Sequence, residues 1–209
     1  VLKGEWVMPA DDSPQAHPPL SALGLLQHMR NRQHVAPKRL ISPGPNGDEL
    51  NLILQAAATA PDHGRLHPWR FMQVPMPQRD RLGRAFELSL VDRDPNANAE
   101  ERSRAHDKAF RSPCLLFAIL KTAGDAPEVG LADRMISLGC AIQNTQLLAN
   151  ALGYGCGITS GQAVDSPPVR ALFGLTELET GVCFLSFGTI ASSKPPRQRP
   201  EPKDFFTHL

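Results

Sequence analysis

Apolar residues recur along the chain with helical or strand spacing, and polar or proline-rich stretches separate the runs. After Ser21, a good N-cap, Leu23, Leu25, Leu26 and Met29 predict a helix that carries Arg30 and Arg32 to its C-terminal end. From Asp48 to Thr59 the pattern returns at Leu50, Ile53, Leu54, Ala57 and Ala58, and Asn46 with Glu49 makes a capping box at its start. Pro61 stops that helix. Trp69 to Val74 then alternates as a half-buried strand does. Cys114 to Leu120 is continuously apolar and predicts a central strand buried on both faces, and Val182 to Ile190 predicts another. Between the first two strands, Gln78 to Val91 and Asn98 to Phe110 predict charged, exposed helices that form a cover.

The longest periodic run is about Val129 to Leu152, with Leu131, Met135, Ile136, Leu138, Ala141, Ile142, Leu147 and Leu148 spread over more than one face. Such a helix needs apolar partners on several sides. It is either the core helix of a monomer or a helix at a subunit interface. Residues 1–19 hold four prolines and little periodicity, which predicts an irregular arm, with Met8 a candidate natural start. Pro37, Pro43 and Pro45 predict an extended connection, and Lys194 to Pro202 a basic, proline-rich tail segment without regular structure.

Composition narrows the function. With 209 residues and 41% apolar content, residues 20–209 suffice for one domain with a real core. A formal charge of +1, with no basic tract interleaved with aromatics, argues against nucleic acid. No apolar run approaches a membrane span of about 18 residues, and the N-terminus lacks the basic patch and apolar segment of a signal peptide. The expectation is a cytoplasmic protein with no membrane partner. Cys114, Cys140, Cys156 and Cys183 lie far apart in or beside apolar segments, which predicts four buried free thiols.

The densest chemistry lies in Ala60-Pro61-Asp62-His63-Gly64-Arg65-Leu66-His67-Pro68, a helix-to-strand connection with two imidazoles and a guanidinium. His63 and His67 stand four apart, but Pro61, Gly64 and Pro68 argue against the helix that would make this a metal site. Gly153-x-Gly-x-Gly157 follows a helix where a dinucleotide loop would follow a strand, so that reading is rejected. As a glycine-rich turn it lets backbone approach a flat ligand.

The Ala-Pro-Asp-His loop running into Pro68-Trp69-Arg70-Phe71 resembles the flavin-binding loop of the nitroreductase superfamily, in its small single-domain branch. The resemblance continues in order through Arg32-Gln33-His34, Gly153 to Gly161, and Phe184-Leu185-Ser186-Phe187-Gly188-Thr189, covering roughly residues 20 to 209. It implies an α/β (α+β) fold with a mixed, largely antiparallel sheet flanked by helices, assembled as a homodimer with FMN at the interface. It also implies transfer of hydride from NAD(P)H through the flavin to nitroaromatic or quinone-type acceptors. Flavin storage without turnover, enone reduction and dehalogenation are the alternatives.

Residue by residue, Arg32-Gln33-His34 stands where the family has Arg-Arg-Ser. The resemblance gives Arg32 the flavin phosphate, while Gln33 and His34 are ribityl or ring contacts or solvated residues. Thr59 and His63 match positions that touch the flavin from across the dimer. Ile158, Thr159 and Ser160 match contacts to ring and phosphate; relatives carry an arginine there, and Arg197 or Arg199 either supplies the missing charge or belongs to a solvated basic tail. No side chain is assigned as an obligatory acid or base, because the cofactor carries the chemistry.

Overall fold

The computed structural model describes residues 21–124, 126–192, 195 and 197–209. The arm expected over 1–19 and part of the tail segment lie outside them. Ser21 caps the first helix, α1 (Ala22–Asn31), by accepting the Gly24 N–H at 3.0 Å. Pro37–Arg39 forms a 3-10 turn that leads into a short strand, β1 (Leu40–Ile41). Helix α2 (Gly47–Ala58) starts at the expected capping box: Asn46 accepts the Glu49 N–H at 2.9 Å and Glu49 accepts the Asn46 N–H at 2.9 Å.

Strand β2 (Trp69–Gln73) follows the polar connection, and helices α3 (Arg79–Arg93) and α4 (Ala99–Asp107) follow it, α4 with its own Asn98/Glu101 capping box. Strand β3 (Cys114–Lys121) is buried at its first seven positions, as a strand covered on both faces must be. Next come α5 (Leu131–Ala151), β4 (Gly155–Thr159), α6 (Pro167–Phe173) and β5 (Glu179–Ile190).

The sheet runs in the order β1-β5-β3-β2, and β4 pairs with β5 on the edge away from β3. Every ladder is antiparallel. One parallel bridge, His34 to Cys156, ties the segment after α1 to β4. Helices α2 and α5 cover one face, packing Ile53, Leu138, Ile142 and Ala149 against Leu116, Ala118, Leu120 and Leu185. On the other face α3 and α6 pack Leu82, Ala85, Val169 and Phe173 against Leu115, Phe117, Ile119 and Phe184. Helices on both faces of an antiparallel sheet confirm the α+β class.

Three expectations change, and α1 shows a feature the sequence reading left open. The glycine-rich stretch is mostly strand, since Gly155–Thr159 pairs with Phe184–Gly188. Strand β1 and helix α6 are additional elements, α6 beginning at Pro167, where a missing N–H costs nothing. Cys140 is only half-buried, whereas Cys114, Cys156 and Cys183 are buried; all four are free thiols. Helix α1 buries no residue, so Leu23, Leu25, Leu26 and Met29 stay exposed. Among the described residues, no helix is long and apolar enough to cross a membrane.

Candidate functional site

Strand β4 organises the candidate residues. At its start, Val35 donates its N–H to the Cys156 carbonyl at 2.8 Å, which holds Arg32, Gln33 and His34 against the strand. Gly157 is required there: a Cβ would run into the Val35 carbonyl and the His34 ring. At Gly155 a Cβ would meet Leu40 and Ile190. These two glycines therefore admit neighbouring protein chain.

Arg32 leaves α1 at its C-cap and turns toward α5, where its Nη1 reaches Gln146 Oε1 at 3.4 Å. Its Nε is buried and has no hydrogen-bond partner among the described residues. A buried, unpartnered guanidinium N–H costs free energy unless an acceptor is supplied. The same guanidinium opposes the effect of burial on the Cys156 thiol, yet burial wins and pushes that pKa up to about 11. Cys156 is thus a neutral thiol at physiological pH, a weak neighbour of the Arg32 guanidinium rather than its counter-ion. Arg199 comes in from the tail and donates Nη2 to the Arg32 carbonyl at 2.6 Å, adding a second positive charge at this spot. Gln33 and His34 line a cavity of about 220 Å³ with Asn31, Arg39 and Asn150.

Ile158, Thr159 and Ser160 occupy the far end of β4, about 13 Å along at the usual rise per strand residue. All three side chains are exposed. β4 thus joins an anion-seeking end to an open, half-apolar end.

Thr59 and His63 lie elsewhere. Thr59 accepts a hydrogen bond from Asn144 Nδ2 at 3.1 Å, and His63 Nδ1 stands 3.8 Å from Asp133 Oδ1 near the start of α5. Asn144 and Gln146 are two residues apart on α5, so they point about 200° apart around the helix. Within one chain, therefore, Thr59 and Arg32 sit on opposite sides of α5. The 3-10 turn His63–Arg65 is held by Asp62, whose Oδ2 accepts the His67 N–H at 2.7 Å; its Oδ1 is buried without a partner. Gln146 and Asp62 are the residues that sequence reasoning did not single out. Asp62 was within the motif; Gln146 gave no local signal, lying 114 positions from Arg32.

An antiparallel sheet covered by helices on both faces, with Arg32 and Arg199 gathered at one end of β4, defines an α+β scaffold with a cationic site at the sheet edge. The chain belongs to the nitroreductase family, whose model matches residues 42–189. It is 31% identical over 173 residues to a "Putative NAD(P)H nitroreductase" of Haemophilus influenzae, covering 82% of this chain and 93% of that protein. It is also 30% identical to the "Putative NAD(P)H nitroreductase YdjA" of Escherichia coli, covering 91% of this chain and all of that one. Among solved structures, a nitroreductase-like protein from Bacillus cereus superposes with a TM-score of 0.74 at 20% identity, over 88% of this chain and 95% of that one. A nitroreductase from Bacteroides fragilis with bound FMN superposes with a TM-score of 0.67 at 21% identity, over 88% and 98%. The chain is an oxidoreductase of this family.

Proposed function

We propose that residues 20–209 form a single FMN-binding domain that works as a homodimer. In this reading it takes hydride from NAD(P)H and passes electrons to a nitroaromatic or quinone-type acceptor. The observation that carries the reading is the buried, unpartnered Nε of Arg32 beside β4. A phosphate is acceptor-only and doubly charged, so it matches a guanidinium whose remaining donors lack partners. The residues present fit FMN: Arg32 for the phosphate with Arg199 adding charge, Gln33 and His34 for the ribityl chain, Ile158, Thr159 and Ser160 toward the ring. Thr59 and His63 lie across α5 from this set and would reach a flavin only from a second copy of the chain. That copy has a surface to dock on, since Leu131, Met135 and Ile136 of α5 and the apolar side of α1 are exposed.

Bound there, FMN supplies two-electron acceptance from a reduced nicotinamide and delivery to a second substrate. The chain's own groups anchor the phosphate, fix the edge strand beside the ring and keep Cys156 protonated.

The absorbance spectrum of the purified protein gives the first test, since flavin bands are expected. The sharper test is Arg32→Ala. Charge-assisted hydrogen bonds contribute about 1.5 to 3 kcal/mol, so FMN affinity should fall roughly tenfold or more while riboflavin, which lacks the phosphate, binds nearly as before. Equal weakening of both ligands takes Arg32 away from the phosphate. Rapid bleaching of the flavin on anaerobic mixing with NADPH or NADH is the expected sign of a reductase; no bleaching with either overturns turnover.

A further inference from the structure

A cavity of about 260 Å³ opens between α3, the turn after α4 and the stretch that follows β4. Its floor is apolar and aromatic, made by Phe86, Leu90 and Phe184. Phe86 meets Phe184 edge-on with centroids 5.5 Å apart, and Phe184 stacks on Phe117 at 4.6 Å, so the floor is a packed, rigid surface. Its rim carries three cations, Arg93, Lys108 and Arg111.

Three neighbouring arginines of these helices find carboxylates, Arg84 with Asp80, Arg102 with Glu87 and Arg104 with Glu100, while Arg81 donates to Gln78 Oε1 and Arg79 to backbone carbonyls. Arg93, Lys108 and Arg111 do not; among the described residues none has a carboxylate partner. They face one another instead. Burial, and then the charges of Arg111, Arg93 and Arg104, hold the Lys108 ammonium below its usual pKa. Three uncompensated cations around an apolar hollow raise the local anion concentration and destabilise the empty cavity by mutual repulsion.

We propose that this cavity binds a compact aromatic carboxylate, with its ring on the Phe86 and Phe184 floor and its carboxylate among Arg93, Lys108 and Arg111. An aromatic floor favours a flat ring in edge or stacked contact, and the guanidinium fork favours a planar, bidentate acceptor. A concave site of this size takes a small molecule and has no room for a polymer. Thr159 lines the same cavity, so the ligand would sit beside the stretch assigned above to the flavin. The assignment uses none of the phosphate-end residues, and the two readings are tested apart.

The test uses the full chain as purified, with its cofactor content measured, and titrates it with 2-naphthoate, neutral 2-naphthamide and inorganic phosphate, followed by calorimetry. Naphthoate should bind at least tenfold more tightly than naphthamide, and phosphate should compete with it poorly. Lys108→Met, and separately Arg93→Gln with Arg111→Gln, should erase most of the difference between the two ring ligands. Because all three side chains lie at the surface, Lys108 partly covered by its neighbours, these variants lose no core contact, and flavin content should stay at the parent value. Equal binding of acid and amide, or unchanged naphthoate affinity in both variants, overturns the proposal. So does phosphate competing as well as naphthoate, which would leave a simple anion site. A fall in FMN content in these variants also overturns it, because the cavity would then be part of the flavin site.

Discussion

Three residues of one loop adopt left-handed backbone: Gly64 at φ +72°, Arg65 at +53° and His67 at +44°. Glycine does so freely, but for Arg65 and His67 the conformation costs on the order of 1 to 2 kcal/mol each. What holds them is Asp62, whose carboxylate accepts the His67 N–H at 2.7 Å while its carbonyl accepts the Arg65 N–H at 3.2 Å. Asp62→Ala should therefore release the loop, speeding exchange of the His67 amide roughly tenfold or more on the worth of a charge-assisted bond. Asp62→Asn keeps an acceptor oxygen and should retain much of the protection. If the Asn variant exchanges as fast as the Ala variant, that hydrogen bond is not the clamp. Pro61 and Pro68 made this connection legible in the sequence, because proline fixes its own φ whatever surrounds it. The twist at Arg65 and His67 was not legible, since neither residue type favours positive φ and only the folded contact imposes it. Arg79 and Arg134 escaped for the same reason. Neither was singled out in the sequence, yet Arg79 donates to the Val74 carbonyl at 2.7 Å and Arg134 to those of Val129 and Ala126 at 3.0 and 2.9 Å, both buried.

Elements with local instructions matched their expected spans. The capping boxes at Asn46 and Asn98 fixed where α2 and α4 begin, and the unbroken apolar run fixed β3. β4 was misread because glycine is a poor strand former, and only the partners that crowd Gly155 and Gly157 explain its presence. A tie across the sheet was equally hidden. Arg70 of β2 grips Glu179 of β5 over the intervening β3, through Nε to Oε1 at 2.7 Å and Nη2 to Oε2 at 3.2 Å. The arginine, together with the Thr176 N–H, lowers the Glu179 pKa from its ordinary 4.5. A carboxyl whose folded pKa is depressed adds stability that is present above about 4.5 and is lost as pH falls through the folded value. With Arg70 partly exposed, the contribution is modest, a few tenths to about 1 kcal/mol. Glu179→Gln should thus cost that much at pH 7 and progressively less as pH falls below 4.5 through the folded value, read as the urea midpoint across that range. A cost that stays constant down to the acid limit would assign the loss to packing.

At the scale of the whole molecule, the described residues leave an apolar surface exposed. Leu23 of α1 is 79% exposed and Ile136 of α5 62% exposed, with Leu131 and Met135 beside Ile136, and α1 contributes nothing to the core. Helix α1 is anchored to α5 by His28, whose Nε2 lies 2.9 Å from the Leu147 carbonyl, so both elements belong to the same side of the domain. Full burial of one such side chain contributes about 1.5 to 3 kcal/mol, and several together suffice for a stable association. The periodic run from Val129 to Leu152 had left open a core helix or an interface helix. The structure places Leu138, Ala141 and Ile142 in the core and leaves Leu131, Met135 and Ile136 exposed, the face an interface would use. Ile136→Glu places a charge on the outward face without touching the core. By light scattering, the parent should be a dimer and this variant a monomer with unchanged far-UV circular dichroism. If Thr59 and His63 reach the flavin only from a second copy, the monomer should also lose FMN affinity by tenfold or more while Arg32 is intact. A monomeric variant that holds FMN as tightly as the parent would confine the flavin site to one chain and remove Thr59 and His63 from it.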